Sequence, residues 1–155
     1  MMPSKLFIGL LVLLVTACGN PPEFEHYQTI KTEVWEVNDT VQTTFTINDT
    51  IQLYNFFINV RNNNSYNYSN LYVFVDTEFP NGKKLTDTVE CVLAYPDGRW
   101  VGSGFGNVYD NRIMYKYRKR FPLIGDYNLS ITHAMREDEL EGILDVGFRL
   151  EKSVK

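Results

Sequence analysis

The chain has 155 residues, 44% hydrophobic, 14% aromatic and 22% charged, with a formal net charge of −4. That length supports one domain with a sizeable core, and the mildly acidic balance argues against general nucleic-acid binding. Two cysteines and two histidines supply neither a disulfide framework nor a zinc site of three or four ligands at short spacing.

The first residues read as an export signal. Lys5 precedes the apolar run Leu6-Phe7-Ile8-Gly9-Leu10-Leu11-Val12-Leu13-Leu14-Val15, and Thr16-Ala17-Cys18 follows. About ten apolar residues fall short of the roughly 20 that a spanning helix needs, so residues 1–17 are expected to be a cleaved leader. Small Thr16 and Ala17 let the chain lie extended in a peptidase cleft, and Cys18 supplies the thiol that receives a diacylglyceryl group. Cys18 is therefore the expected lipidation site, joining the protein to a membrane through N-terminal acyl chains. Two or more such chains, at about 0.8 kcal/mol per buried methylene, anchor effectively permanently. With Cys18 acylated, Cys91 has no partner and is expected to be a buried small hydrophobe. Residues 18–26 contain Pro21 and Pro22 and no apolar period, so they read as a tether of about 25 Å at full extension.

Residues 27–155 are expected to form one β-domain, because the period is two throughout. Val41, Thr43, Phe45 and Ile47 alternate with polar neighbours; Tyr54, Phe56, Ile58 and Val60 make one face of the next run. Leu71, Val73 and Val75 continue the pattern, followed by Val89, Cys91 and Leu93, then Tyr127, Leu129 and Ile131, and finally Leu144, Val146, Phe148 and Leu150. Turn residues separate them, and Asn81-Gly82 and Asp97-Gly98 suit hairpins that need positive φ. The fold class is all-β: an antiparallel β-sandwich of about seven to nine strands, Ig- or jelly-roll-like. Arg136-Glu137-Asp138-Glu139-Leu140-Glu141 is the one helical candidate, a turn or two before the last strand.

Catalysis needs a nucleophile with a base and an orienting group, or an open metal site, and no such set stands together. No catalytic residue, metal ligand or cofactor site is assigned. His26 falls in the tether, and His133 lies in register with Ile131 and Leu129, as a hydrogen-bonded residue ending a core face. Gly102-Ser103-Gly104-Phe105-Gly106 lacks the lysine and helix of a phosphate loop and reads as a bulge or crowded bend. Lys116, Arg118 and Arg120 fall on one face of a strand whose other face carries Ile113, Tyr115, Tyr117 and Phe121. Such a stripe suits an edge strand protected by charge, or docking on an acidic partner or lipid phosphates. The loop Arg61–Asn70 is rich in Asn, Ser and Tyr, a composition that serves binding loops and long solvated loops alike. Tyr66, Tyr68 and Trp100 join the three basic residues as the candidate interaction surface, while Trp35 and Trp100 read as core anchors ahead of stacking platforms.

Several ordered blocks resemble the GldH family of gliding motility lipoproteins from the Bacteroidetes. They are the Cys18 lipobox, Val60-Arg61-Asn62, Tyr68-Ser69-Asn70-Leu71-Tyr72-Val73-Phe74 and Pro80-Asn81-Gly82, then Asp87-Thr88-Val89-Glu90-Cys91-Val92-Leu93-Ala94 with Gly98-Arg99-Trp100 and Gly102-Ser103-Gly104. Ile131-Thr132-His133-Ala134-Met135-Arg136 and Leu140-Glu141-Gly142-Ile143-Leu144-Asp145-Val146-Gly147 complete the match. The resemblance implies a non-catalytic subunit of the gliding machinery, tied to type IX secretion, with other machinery proteins as partners. The alternative is a glycan-binding sandwich of the cell envelope, which needs Tyr66, Tyr68 and Trp100 coplanar and exposed. A host of that phylum would make Thr40, Thr50 and Thr88 candidate O-glycosylation sites, each in an Asp-Thr-apolar triplet. The stretch after Cys18 lacks the acidic run associated with export to the cell surface, so the periplasmic face of the outer membrane is expected.

Overall fold

A strand with one apolar face needs neighbours for its backbone and a second layer for its side chains. The computed structural model, which describes residues 21–154, meets both needs with two antiparallel sheets face to face. Its strands are β1 (Phe24–Thr29), β2 (Val34–Glu36), β3 (Val41–Ile47), β4 (Tyr54–Asn63), β5 (Asn70–Glu78), β6 (Lys84–Val92), β7 (Ser103–Phe105), β8 (Val108–Lys119), β9 (Gly125–His133), β10 (Glu139–Glu141) and β11 (Ile143–Lys152). One sheet has the order β1-β11-β4-β8-β7, the other β3-β9-β5-β6, and β2 pairs with β10 as a separate ribbon. The sandwich is as expected. The count rises to eleven because β2, β7 and β10 have three residues each, too few to display a period.

Two expectations require correction. The tether does not run to His26: β1 begins at Phe24 and pairs with β11 from Phe24↔Leu150 to Thr29↔Asp145. The strand has a weak apolar signature because none of its residues is fully buried and half-buried positions alternate with exposed ones. The acidic stretch before β11 is not helical either. Arg136–Asp138 bend, and Glu139, Leu140 and Glu141 pair with Glu36, Trp35 and Val34. A single leucine cannot give a helix an apolar stripe, whereas a three-residue strand buries Leu140 completely between two exposed glutamates.

The layers meet through an aromatic cluster. Phe45 of β3 lies 5.3 Å from Phe24 of β1, 5.4 Å from Phe148 of β11, 5.6 Å from Phe121 and 5.7 Å from Tyr127 of β9. Phe56 of β4 closes the group, 5.1 Å from Phe121 and 6.2 Å from Phe148. These separations fall in the range where ring pairs add to simple burial. Tyr127 also donates from its hydroxyl to the Leu123 carbonyl at 2.8 Å and accepts from the Leu123 amide at 3.2 Å, a corner of the kind that fixes strand entry in β-sandwiches. At the opposite end the β2–β10 ribbon puts Trp35 and Leu140 into the core. The Trp35 indole donates to the Asp39 carbonyl at 2.7 Å.

Antiparallel connectivity sorts the loops by end. The base of β1, the β3–β4 loop, the β5–β6 turn and the β8–β9 loop share the aromatic end. The loops after β4 and β6, the β7–β8 turn and the ribbon share the other.

Phe45→Ala is expected to lose about 3–5 kcal/mol, as for other buried phenylalanine truncations. Phe105→Ala, at a side chain 96% exposed, is expected to stay within about 0.5 kcal/mol. Urea denaturation at equal m-value compares the two.

Candidate interaction surfaces

The Asn-rich loop is ordered by its own side chains. Asn63 Oδ1 accepts the Ser65 amide at 2.8 Å, Asn63 Nδ2 donates to Glu33 Oε2 at 3.2 Å, and the Asn63 amide donates to the Gly142 carbonyl at 2.9 Å. Tyr66 is a plug: it is 3% exposed and its hydroxyl donates to the Asn70 carbonyl at 2.8 Å. Tyr68 is half-buried edge-on to Tyr66, with its hydroxyl on Glu137. Trp100 is half-buried, lies 5.5 Å from Tyr109 and donates from Nε1 to Asn64 Oδ1 at 2.9 Å. The three rings therefore do not form one exposed platform, because Tyr66 belongs to the core. Sequence reasoning passed over Phe105, at the tip of the β7–β8 hairpin, and Tyr95, both exposed at this end. Their glycine-rich surroundings, which mark protruding turns, were the available signal.

The basic stripe is dispersed. Pairing of β8 with β4 shifts between Tyr54 and Phe56 and again between Phe56 and Phe57, and each bulge breaks the alternation that would keep Lys116, Arg118 and Arg120 on one face. Lys116 pairs with Asp87 of the opposite sheet and sits over the rings of Tyr115 and Phe56 at 5.5 and 5.7 Å. Arg118 adopts φ 51° and its amide donates to Asn55 Oδ1 at 3.0 Å; Arg120 donates from Nε to the Ile51 carbonyl at 3.1 Å.

The outer face of the five-stranded sheet carries a charge lattice in two clusters, one on Arg149 and one on Arg61. Arg149, whose side chain is 10% exposed, reaches Glu25 at 2.9 Å and Glu151 at 2.5 Å. Burial works against its charge, but the two carboxylates hold its pKa above the ordinary value. Arg61 reaches Asp110 at 2.6 Å and Asp145 at 3.0 Å, and Thr29 Oγ1 donates to Asp145 at 2.6 Å. Asn59 donates from Nδ2 to Glu25 at 3.1 Å. A concavity of about 670 Å³ opens beside this lattice, where β7 leaves β8, and Tyr27, Asn59, Arg112, Val101 and Ser103 line it.

His133 is buried with its ring edge-on to Trp35 at 5.3 Å, and neither ring nitrogen reaches a hydrogen-bond partner. It ends a core face as expected, with the backbone of Trp35 and Asp138 close to the ring. Burial lowers its pKa, and the nearby backbone of Asp138 and Trp35 offsets only part of that. Cys91 is free and fully buried, and desolvation pushes its thiol up to about 12, so it packs as a small hydrophobe. Among the described residues, no group of three His, Cys, Asp or Glu side chains is placed to hold a metal ion. Cys18 lies outside the described residues. Thr40 and Thr50 are half-buried, in the segment before β3 and in the β3–β4 loop; Thr88 is exposed on the outer side of edge strand β6.

Fold and surface define an all-β sandwich domain whose aromatic end receives the N-terminal segment. The model of the family described as GldH lipoprotein matches residues 23–150. The chain is 39% identical over 149 residues to a gliding motility lipoprotein GldH homolog of Christiangramia forsetii, covering 92% of this chain and 91% of that one. It is 34% identical over 150 residues to the gliding motility lipoprotein GldH of Flavobacterium johnsoniae, covering 92% of each. Among solved structures, one of the infectious bursal disease virus Gx strain aligns at 12% identity, covering 96% of this chain and 37% of that one, with a TM-score of 0.27, too low for a shared fold to be read from it. The chain belongs to the GldH lipoprotein family.

Two measurements probe this geometry. Gly142 has φ +86°, and a Cβ there would lie 2.3 Å from the Tyr66 amide nitrogen; Gly82 has φ +78° but open space around it. Gly82→Ala is expected to cost about 1–2 kcal/mol, the penalty of a left-handed non-glycine residue. Gly142→Ala is expected to cost at least about twice that, because backbone must move as well. For His133 the unfolded chain takes up the proton first, since the folded imidazole lies below its ordinary 6.5. Stability is therefore full above that value and falls as pH drops through it towards the folded pKa. Thermal midpoints between pH 7.5 and 5.5 are expected to slope downward for the wild type and to flatten in His133→Leu.

Proposed function

We propose that the protein is a non-catalytic subunit of the gliding motility machinery, working with type IX secretion. It is held through acyl chains on Cys18 at the outer membrane with its domain in the periplasm. The observation that carries this reading is the 39% and 34% identity to gliding motility lipoproteins along almost the entire chain. The chemistry of the domain supports the non-catalytic part. Its buried histidine is walled in by Trp35, its cysteine lies in the core, and the carboxylates of the charge lattice are committed to arginines. A base or nucleophile for catalysis needs access to substrate and a partner poised to exchange protons. Partners are proteins of the same machinery. Of the three Asp-Thr-apolar triplets, Asp87-Thr88-Val89 is the O-glycosylation site that its exposure favours, because the acceptor hydroxyl faces solvent on an edge strand.

Deletion of the gene is expected to abolish spreading on agar and to reduce secretion of type IX cargo, with both restored by the wild-type copy. Cys18→Ser, which removes the thiol that is acylated, is expected to leave the domain folded and spreading unrestored. Normal spreading and secretion in the deletion strain would overturn the assignment.

A further inference from the structure

Around the N-terminal exit the carboxylates are engaged, Glu23 with Lys152 at 2.7 Å, Asp49 with the Ile51 amide at 2.7 Å and Asp126 with the Thr46 hydroxyl at 2.6 Å, while cations and apolar side chains stand exposed. β1 enters the sandwich at Phe24, where the Glu23 amide donates to the Leu150 carbonyl at 2.8 Å. Pro21 and Pro22 lie in a groove of about 630 Å³ with Tyr117, Asn55 and Lys152. Cys18 precedes Pro21 by three residues, a reach of about 11 Å at most. Beside this exit stand Arg118, Lys119 and Arg120, all exposed. Among the described residues, none of the three has a carboxylate within 4.0 Å. The β8 bulges and the positive φ of Arg118 spread three consecutive cations that plain alternation would divide between two faces. Around them, Ile51, Ile124 and Tyr117 are 77%, 63% and 61% exposed, although the same end buries the densest aromatic packing of the molecule. The opposite end is acidic, with Glu33, Glu36, Glu137, Asp138, Glu139 and Glu141 around the ribbon.

We infer that the aromatic end lies flat on the membrane, with Arg118, Lys119 and Arg120 on lipid phosphates and Ile51, Tyr117 and Ile124 in the headgroup layer. The inference rests on the lipid-anchor reading of Cys18 and adds an orientation to it. A short tether holds the cations within about a Debye length of the headgroups. Basic side chains with interfacial apolar and aromatic neighbours are what such a surface favours. The acidic end then faces away, so the charge polarity of the domain reinforces the tether.

The test uses the acylated chain in vesicles of phosphatidylglycerol and phosphatidylcholine that carry a nitroxide on a headgroup-proximal acyl carbon. A bimane is attached at Ile124→Cys or, in a second sample, at Asn107→Cys in the β7–β8 turn; buried Cys91 stays unlabelled. Quenching at 124 is expected to exceed that at 107 by about twofold or more, and to fall towards the 107 level in 1 M salt or in Arg118→Gln/Lys119→Gln/Arg120→Gln. Equal quenching at the two sites, or quenching at 124 indifferent to both salt and substitution, in protein that still floats with the vesicles, would overturn the orientation alone. Protein that fails to float would overturn the anchor reading and the orientation with it.

Discussion

Phe45 is the point through which the two sheets become one body. It belongs to an edge strand of the four-stranded sheet, yet its ring neighbours include Phe24 and Phe148 of the five-stranded sheet as well as Tyr127 of its own. Sheets that cross with twist can fill the space between them only where large side chains from both meet. Here that place is one end of the sandwich, and it is also where β1 enters and where β4, β9 and β11 begin or finish. The first strand after the expected lipid anchor is consequently pinned at its first residue. The start of β1 and the integrity of the core are coupled through Phe24.

How far this could be read from the sequence follows from what period-two patterns encode. Long strands with one wet face, β3, β5 and β9, are legible because each offers several alternations, β11 because its sequence alternates although both faces are covered, and the turn at Asn81-Gly82 because positive φ favours glycine. Three-residue strands carry at most one inward residue and no pattern: Leu140 becomes recognisable only once Trp35 is found opposite it. β8 misled for another reason. Its alternation is real in sequence, but two bulges absorb extra residues, so Lys116 turns towards Asp87 on the opposing sheet while Arg120 bonds the Ile51 carbonyl of the β3–β4 loop. Bulges follow from how neighbouring strands must bend, a property of the pair that one strand does not display. The aromatic loop misled through composition alone, since Asn and Tyr are equally suited to recognition and to closing a loop on itself; Gly142, which lets Tyr66 approach backbone to backbone, decided between them.

The polar surface is unevenly committed. On the outer face of the five-stranded sheet, Arg149 and Arg61 each bridge two carboxylates, and Asn59 and Thr29 spend donors on the same acids. A ligand arriving there would have to replace partly buried charge pairs, and removing one partner from such a pair is costly. That face is stabilised against recognition even though it is broad and charged. Edges and ends carry fewer internal commitments. Phe105 is almost wholly exposed and the acidic ribbon is solvated, while among the described residues Arg118 and Lys119 have no carboxylate partner.

The two ends of the sandwich differ along the strand direction. The end that receives the N-terminal segment has the densest aromatic packing, and there β1 joins the sheet through six residue pairs with β11. The far end is built from turns that cap themselves with local hydrogen bonds, as at Asn63, and loops of that kind tolerate side-chain change with little effect on the core. Side-chain change around Tyr95 and Phe105, both exposed, can therefore accumulate without loosening the aromatic end. The reverse does not hold. A substitution in the Phe45 cluster reaches both sheets and the entry of β1 at once, so loss of function from such a change would reflect loss of the fold itself.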